Sequence, residues 1–258
     1  MINQAFRLLK FSVNSAAENM AIDEAIFRLY DELKQDTIRF YSWKPSAVSI
    51  GKHQNINDEV NMDNLKKLGF DCVRRISGGG AVFHDEFGEL TYSIVTNSRF
   101  LTSKILETSY YELSQIVFHP LTKMGLNFNY NKIHCPSVFS EGKKISGNAQ
   151  ARSSDTVLQH GTLLINYRPE TMYSVLKARQ GRSSESMVKS VYQHVTTLTE
   201  RLNQDLTPQV IVDFLQKELV ISKNTECFYG ELTSEEKLLA NELVKEKYET
   251  EDWLYSGF

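Results

Sequence analysis

The sequence is sparing with several residue types and patterns, and each shortage excludes a class. Only three cysteines occur in 258 residues, Cys72, Cys135 and Cys227. An odd number at wide spacing fits neither a disulfide framework nor a CxxC metal site, and leaves at least one thiol free. Five prolines and thirteen glycines are too few for a low-complexity chain. No apolar run approaches the roughly 18 residues of a membrane span, and the start MINQAFRLLKFSV is interrupted by polar residues too often for a signal peptide. A formal net charge of -3 supplies no basic field, so a nucleic-acid partner gains no electrostatic support. These absences predict a cytoplasmic protein with neither a nucleic-acid nor a membrane partner.

What is present suits a globular chain. Apolar residues make up 41% and charged residues 24%, and the length allows one large domain or a main domain with a small appendage. Asn14 or Ser15 can cap a helix through about Leu33, with Met20, Ile22, Ala25, Ile26 and Leu29 on its apolar face and Glu18, Asp23, Glu24 and Arg28 on its polar side. Thr37 to Trp43 and Ala47 to Gly51 read as strands around Pro45, and Met62 to Leu68 as a short helix stopped by Gly69. Ala81 to Phe83 and Leu90 to Val95 read as neighbouring strands joined by a polar turn. Ser103 to Met124 carries a helical stripe of Leu106, Tyr110, Leu113, Val117 and Leu121. Strand character returns from Ile145 to Ile165, and Pro169 to Ala178 reads as helical. The last part changes to two amphipathic helices, Thr207 to Leu219 and Thr233 to Lys247, each opening with Thr as a cap. The expected fold class is α+β, mixed sheets flanked by helices. A main domain of residues 1–205 is expected to carry a small helical appendage, 206–258.

Chemistry concentrates in two segments. In the first, Gly78, Gly79 and Gly80 follow Arg74 and Arg75. Glycines expose backbone amides without a Cβ in the way, which suits phosphate, and an arginine adds charge-assisted hydrogen bonds. If the segment is a strand the two arginines point apart, so only one need face a site. A tight turn with two solvated arginines explains the same residues, and the two readings stay level. The pattern is neither a Walker loop nor a dinucleotide fingerprint. His84 and Asp85 are adjacent in extended chain and so point apart, which disfavours a mutual relay; His84 suits a structural donor as well as a catalytic one. In the second segment Gly142 and Gly147 bracket Lys143 and Lys144, which must face opposite sides, so one can enter a site while the other stays in water. Gln159-His160-Gly161-Thr162 adds a further donor. Cys72 lies in an apolar run and reads as a small buried hydrophobe, while Cys227 carries no motif.

Together these segments resemble the lipoate-protein ligase and octanoyltransferase superfamily, whose catalytic domain is related to that of biotin-protein ligase. Four segments carry the resemblance over about residues 5 to 200: Asn19-Met20-Ala21-Ile22-Asp23-Glu24-Ala25, Arg74 through Asp85, Gly142 through Gln150, and His160-Gly161-Thr162-Leu163-Leu164. The resemblance implies an enzyme that attaches a lipoyl-type C8 acyl group to a lysine of an acceptor protein. Lys144 would touch the acyl carbonyl and phosphate and offset developing charge there. Arg75, Ser77, Gly78, Gly79, Gly80, Ala81, Val82, Phe83, His84, Gly147, Asn148 and His160 would bind ATP or the lipoyl-AMP intermediate.

The resemblance leaves two activation chemistries. A ligase joins lipoate to ATP, with Mg2+, as lipoyl-AMP; no carboxylate cluster in the sequence is assignable as a metal ligand set. An octanoyltransferase instead takes octanoate from acyl carrier protein through a cysteine thioester. Cys135-Pro136-Ser137-Val138-Phe139 resembles the cysteine segment of some transferases, with Cys135 as the nucleophile, though the stretch to Gly142 is about three residues shorter. The intact Gly78-Gly79-Gly80 has the ligase form, and it ranks the ATP-dependent ligase first and the Cys135 transferase second. The implied acceptors are lipoyl domains of the 2-oxoacid dehydrogenase E2 or glycine-cleavage H protein type. The short C-terminal part, similar to that of two-subunit ligases, implies a separate accessory subunit for a ligase of this form.

Overall fold

A computed structural model describes residues 5–102, 105–131, 136–178, 181–222 and 225–256. Twelve strands occur among them: β1 (Phe6–Leu9), β2 (Ser12–Asn14), β3 (Thr37–Trp43), β4 (Ala47–Ile50), β5 (Asp71–Arg74), β6 (Val82–His84), β7 (Glu89–Asn97), β8 (Asn129–Asn131), β9 (Ser137–Ser140), β10 (Lys143–Ser153), β11 (Thr156–Leu164) and β12 (Cys227–Gly230). They form two sheets. The larger has the order β12-β1-β3-β7-β11-β10-β9-β8, with β2 beside β3; the smaller has the order β5-β4-β6. Parallel and antiparallel pairs mix in both, which gives the α+β class expected.

The first helix, Ala16–Leu33, starts where a reciprocal capping box allows it. The Ser15 hydroxyl accepts from the Glu18 amide, and the Glu18 carboxylate accepts from the Ser15 amide. The helix covers one face of the large sheet, with Ile26 and Tyr30 packed on Val95 and Leu158. On the opposite face, Leu113, Val117 and Leu121 of the helix Leu106–Leu121 and Ile211, Val212 and Leu215 of the helix Pro208–Ile221 share one core with Ile38, Tyr92 and Ile94. Truncating a residue such as Leu113 to alanine in such a core costs about 2–5 kcal/mol.

Several expectations need correction. The runs on either side of the 85–88 turn are not neighbours in one sheet, because β6 pairs with β4 and β7 pairs with β3 and β11. The turn therefore steps between sheets. Gly88 makes that step feasible, since a Cβ there would lie 2.9 Å from the Asn166 carbonyl oxygen. Asp23 and Glu24, placed by periodicity on a polar face, are both buried. The C-terminal part contains a strand that periodicity did not show, β12, which joins the large sheet beside β1. Its last helical stretch is divided into Ser234–Leu243, a wide turn Val244–Tyr248 and a short helix Glu251–Tyr255. A bidentate ion pair buried between Arg7 and Glu236 ties this part to β1. Among the described residues no helix is long and apolar enough to cross a membrane.

Candidate active site

A cavity of about 500 Å³ opens between the two sheets, with the glycine loop on one side and β10 and β11 on the other. The loop's shape is set by Arg75, whose donors all turn inward. Nε donates to Ser77 Oγ at 3.2 Å, Nη1 to the carbonyl and hydroxyl oxygens of Ser49 at 3.1 Å each, and Nη2 to the carbonyls of Gly78 and Gly80 at 2.8 Å each. Arg75 is thus the clamp of the loop. Gly79 takes a φ of 98°, which favours glycine, and its carbonyl turns towards Gly51, whose absent Cβ would lie 2.1 Å from that oxygen.

This clamp has a consequence for the amides. The carbonyls of Gly78, Gly79 and Gly80 are all held against the protein, and a trans peptide points its N–H opposite to its C=O. The N–H groups of Gly79, Gly80 and Ala81 therefore face away from Arg75 and Gly51, and all three residues line the cavity. Among the described residues these amides have no hydrogen-bond acceptor. Three unpartnered donors beside a cavity form a ready receptor for a carbonyl oxygen that gains negative charge.

Opposite them stands Lys144. The alternation read from the sequence is present: Lys143 Nζ donates to the Tyr192 carbonyl, and Lys144 lines the cavity. Its ammonium has no hydrogen-bond or ion-pair partner among the described residues. Gly147 gives the side chain room, for a Cβ there would lie 3.2 Å from Lys144 Nζ. Asn148 anchors the neighbouring wall: its amide and its side-chain Nδ2 both donate to the Pro136 carbonyl, and its Oδ1 accepts from the Tyr92 hydroxyl. Gly161 admits that contact, because a Cβ would meet Asn148 Oδ1 at 2.0 Å. Of the described residues lining the cavity, Arg75 and Lys144 are cationic and none is Asp or Glu, so the site favours a ligand that carries or develops negative charge.

Two histidines line the same cavity, each joined through a serine to Arg75. His160 Nε2 lies 2.6 Å from Ser77 Oγ, and its Nδ1 lies 3.5 Å from Asp23 Oδ2. Burial, reinforced by the nearby positive charge of Arg75, lowers the His160 pKa against the opposing effect of Asp23. The ring is therefore neutral at pH 7, with its proton on Nδ1 towards the carboxylate and Nε2 accepting from Ser77. Burial raises the Asp23 carboxyl, but the contacts with His160, Arg39 and Ser93 outweigh it and leave the pKa below the ordinary value. On the other arm His84 Nε2 meets Ser49 Oγ at 2.8 Å and Nδ1 meets Glu89 Oε1 at 2.6 Å. The ring stacks on Trp43 with centroids 3.9 Å apart.

Most of the residues nominated from sequence converge here: Arg75, Gly78, Gly79, Gly80, Ala81, Val82, His84, Lys144, Gly147, Asn148 and His160 all line the cavity. Two do not. Phe83 packs in the core of the small sheet against Val48 and Ile50, because alternation along β6 sends Val82 and His84 one way and Phe83 the other. Ser77 is buried behind the wall, between Arg75 and His160. Asp85 turns away from His84 and binds Arg168 through both oxygens. Sequence reasoning missed Ser49, Glu89 and Trp43, whose short polar or aromatic side chains carry no motif, and the role of Asp23 as partner of His160. Cys135 lies outside the described residues. Among the described residues no group of three His, Cys, Asp or Glu side chains is placed to hold a metal ion.

Comparisons with known proteins bear on the chemistry. Residues 15–220 match the model of the lipoyl protein ligase A/B catalytic domain. The chain is 31% identical over 274 residues to octanoyltransferase LipM of Brevibacillus brevis, covering 97% of this chain and 98% of the relative. It is also 31% identical over 267 residues to octanoyltransferase LipM of Clostridioides difficile, covering 96% and 97%. Among solved structures, a bi-partite lipoate protein ligase from Thermoplasma acidophilum superposes with a TM-score of 0.85 at 28% identity, covering 98% of this chain and 96% of the other. A lipoate-protein ligase A bound with ATP gives a TM-score of 0.82 at 26% identity, covering 97% and 98%.

The expectation of an ATP-dependent ligase is corrected by these relatives. The relatives of 31% identity are octanoyltransferases, which do not bear out the expected use of ATP, Mg2+ and lipoyl-AMP, while ATP is bound in a ligase neighbour of 26% identity. The ranking rested on the shorter stretch from Cys135 to Gly142 and, above all, on Gly80, and the loop geometry shows why the second mark fails. A Cβ on Gly80 would meet nothing within 4 Å, so the loop itself does not demand glycine there. The matched segment spans both the glycine loop and the Lys144 strand, and the chain belongs to the lipoyl protein ligase A/B catalytic domain family.

Proposed function

We propose that this protein transfers an octanoyl group from the thioester of an acyl carrier protein to a lysine of a lipoyl-domain acceptor, through a thioester on Cys135. The observation that carries the reading is the convergence of the Lys144 ammonium, which has no partner among the described residues, and the glycine-loop amides on a cavity that Pro136, the residue after Cys135, also lines. The apolar side chains of Met20, Trp43, Val82, Leu106 and Tyr110 in the same cavity suit a C8 tail. The octanoyltransferase relatives support the acyl group and its transfer. The archaeal ligase studied with its E2 lipoyl domain supports the kind of acceptor.

The other two thiols argue for the same nucleophile by elimination. Burial pushes the Cys72 thiol up to about 12 and the Cys227 thiol up to about 11, and neither lines the cavity. At pH 7 their thiolate fraction is on the order of 10⁻⁴ or less.

In the first half-reaction the Cys135 thiolate attacks the donor carbonyl. The tetrahedral oxyanion is held by the amides of Gly79, Gly80 and Ala81 and by Lys144, and the carrier thiolate leaves as the new thioester forms. In the second, the neutral amine of the acceptor lysine attacks that thioester. The proton lost from the nitrogen passes to the departing Cys135 thiolate, which leaves as the thiol, and an amide remains.

Intact mass spectrometry after incubation with octanoyl carrier protein tests the scheme. The wild type gains one octanoyl group that moves to the acceptor when a lipoyl domain is added, and Cys135→Ser gains none as a thioester. Lys144→Ala lowers transfer by about 10²–10³-fold or more, the scale of losing one oxyanion donor. An adduct on Cys135→Ser at the wild-type rate, or unimpaired transfer by Lys144→Ala, overturns the reading.

A further inference from the structure

Two pairs of adjacent residues divide their labour between the cavity and the C-terminal end of the chain. Asp23 turns towards His160, whereas Glu24 accepts from Lys247 Nζ at 2.8 Å on both oxygens and from the Tyr248 hydroxyl. Arg75 clamps the glycine loop, whereas Arg74 faces the other way. Its Nε donates to the carbonyls of Trp253 and Leu254 at 3.1 and 3.2 Å, and its Nη2 to Leu254 again at 2.8 Å. The indole Nε1 of Trp253 returns a 2.8 Å hydrogen bond to the Arg74 carbonyl. Lys247 Nζ lies 4.0 Å from the Trp253 ring centroid, a cation–π contact that links the two anchor points.

The third arm of Arg74 carries this anchoring to the site. Nη1 donates to the carbonyls of Gly51, Lys52 and Gln54 at 3.2, 3.0 and 2.6 Å. That short loop is the floor on which the glycine loop rests: Gly51 lies under the Gly79 carbonyl, and the Lys52 amide donates to the Ser77 carbonyl at 2.9 Å. Arg74 is almost fully buried and its guanidinium meets only carbonyl oxygens among the described residues, a geometry that a planar fork fills and a lysine does not.

We propose that residues 244–256 are a positioning strap for the acyl site, in which Trp253 and Lys247 hold Arg74 and Glu24 so that the floor at 51–54 fixes the glycine-loop amides. Among the described residues the side chains of Lys247, Tyr248 and Trp253 hydrogen-bond to Glu24 and Arg74 and to no residue that lines the cavity, so they position and do not catalyse. The catalytic arm of the test rests on the octanoyl-transfer reading, and the exchange arm does not.

The test uses the full chain with Trp253→Ala, Trp253→Phe, Lys247→Met and, as a control, Leu238→Ala on the exposed side of the helix Ser234–Leu243. Hydrogen exchange at the Lys52 amide reports the floor directly. Trp253→Ala and Lys247→Met are expected to speed that exchange and to lower kcat of octanoyl transfer about tenfold or more, with KM for the donor changed less, because a small misplacement of the oxyanion donors acts on the transition state. Trp253→Phe keeps a ring under Lys247 and restores part of both, and Leu238→Ala matches the wild type. Wild-type exchange at Lys52 in both Trp253→Ala and Lys247→Met overturns the strap, as does an unchanged kcat in an otherwise active enzyme. Should Trp253→Ala not fold, Trp253→Phe and Lys247→Met carry the same comparison. If the wild type transfers no octanoyl group, the exchange result decides the strap alone.

Discussion

Gly51 and Gly79 meet backbone to backbone, so closely that a Cβ on Gly51 would fall 2.1 Å from the Gly79 carbonyl oxygen and 3.0 Å from its carbon. Neither partner is a flexible side chain that could move aside. Gly51→Ala must push the glycine loop off its floor, with an overpacking cost of about 1–3 kcal/mol. Octanoyl transfer is expected to fall about a hundredfold or more, since the loop carries the amides proposed to hold the oxyanion. Urea unfolding and the rate of acyl-adduct formation check both parts, and a fully active, fully stable Gly51→Ala would show that the loop does not depend on this contact.

Arg75→Lys is expected to behave much like Arg75→Ala. A lysine retains the charge, but the structural role is geometric: one planar group joins Ser77, Ser49, Gly78 and Gly80 at once. Loss of the clamp frees the carbonyls of Gly78 and Gly80 to turn, and the amides behind them turn too. Both variants should lower kcat by about 10²-fold. Near-wild-type kcat in Arg75→Lys would mean that charge alone is what the site takes from Arg75.

Much of this was legible in the sequence where a local rule acts alone. Ser15 caps the first helix, one of the two caps the sequence offers, Thr37–Trp43 forms the strand its composition predicts, and alternation separates Lys143 from Lys144. The failures come where a distant segment decides. Glu24 looks solvated on a helical wheel and is buried because Lys247 and Tyr248 cover it. The strand Cys227–Gly230 exists because β1 offers an edge to pair with, and a short apolar run cannot name its sheet, as Val82–His84 shows. The partners of the two histidines were unreadable for the same reason, since Asp23 and His160 lie 137 positions apart. The preference for a ligase over a transferase leaned most on one glycine whose side-chain space is empty.

The thiols offer an independent check on the nucleophile. Alkylation with iodoacetamide near pH 7 should leave Cys72 and Cys227 unmodified in the folded protein, because burial raises them to about 12 and about 11. Peptide mapping after a short pulse is expected to find label at Cys135 alone, and prior octanoylation should protect that position. The double variant Cys72→Ala, Cys227→Ala should retain octanoyl transfer within about threefold, as substitutions away from the chemistry do when small side chains are exchanged. Loss of transfer in that variant without loss of folding would relocate the thioester.

The His160 environment predicts a pH dependence with a definite sign. Burial lowers the pKa of His160 in the folded protein below its ordinary value of 6.5. Between those two values the unfolded chain binds the proton and the folded protein does not, so unfolding is favoured as pH falls. The stability held by neutral His160 is thus fully present above about pH 6.5 and is lost as pH drops through the unfolded value towards the folded one. Asp23, whose pKa is also lowered, acts below its ordinary 3.8 and does not overlap the upper part of that window. Urea unfolding of the wild type and of His160→Gln between pH 5 and 8 isolates the effect by difference. The wild type should lose more stability than His160→Gln on going from pH 7 to pH 5, because glutamine binds no proton in either state. Parallel curves would mean that His160 gains its proton in the folded protein as readily as in the unfolded chain, and that the Ser77 hydrogen bond does not hold the ring in its neutral form.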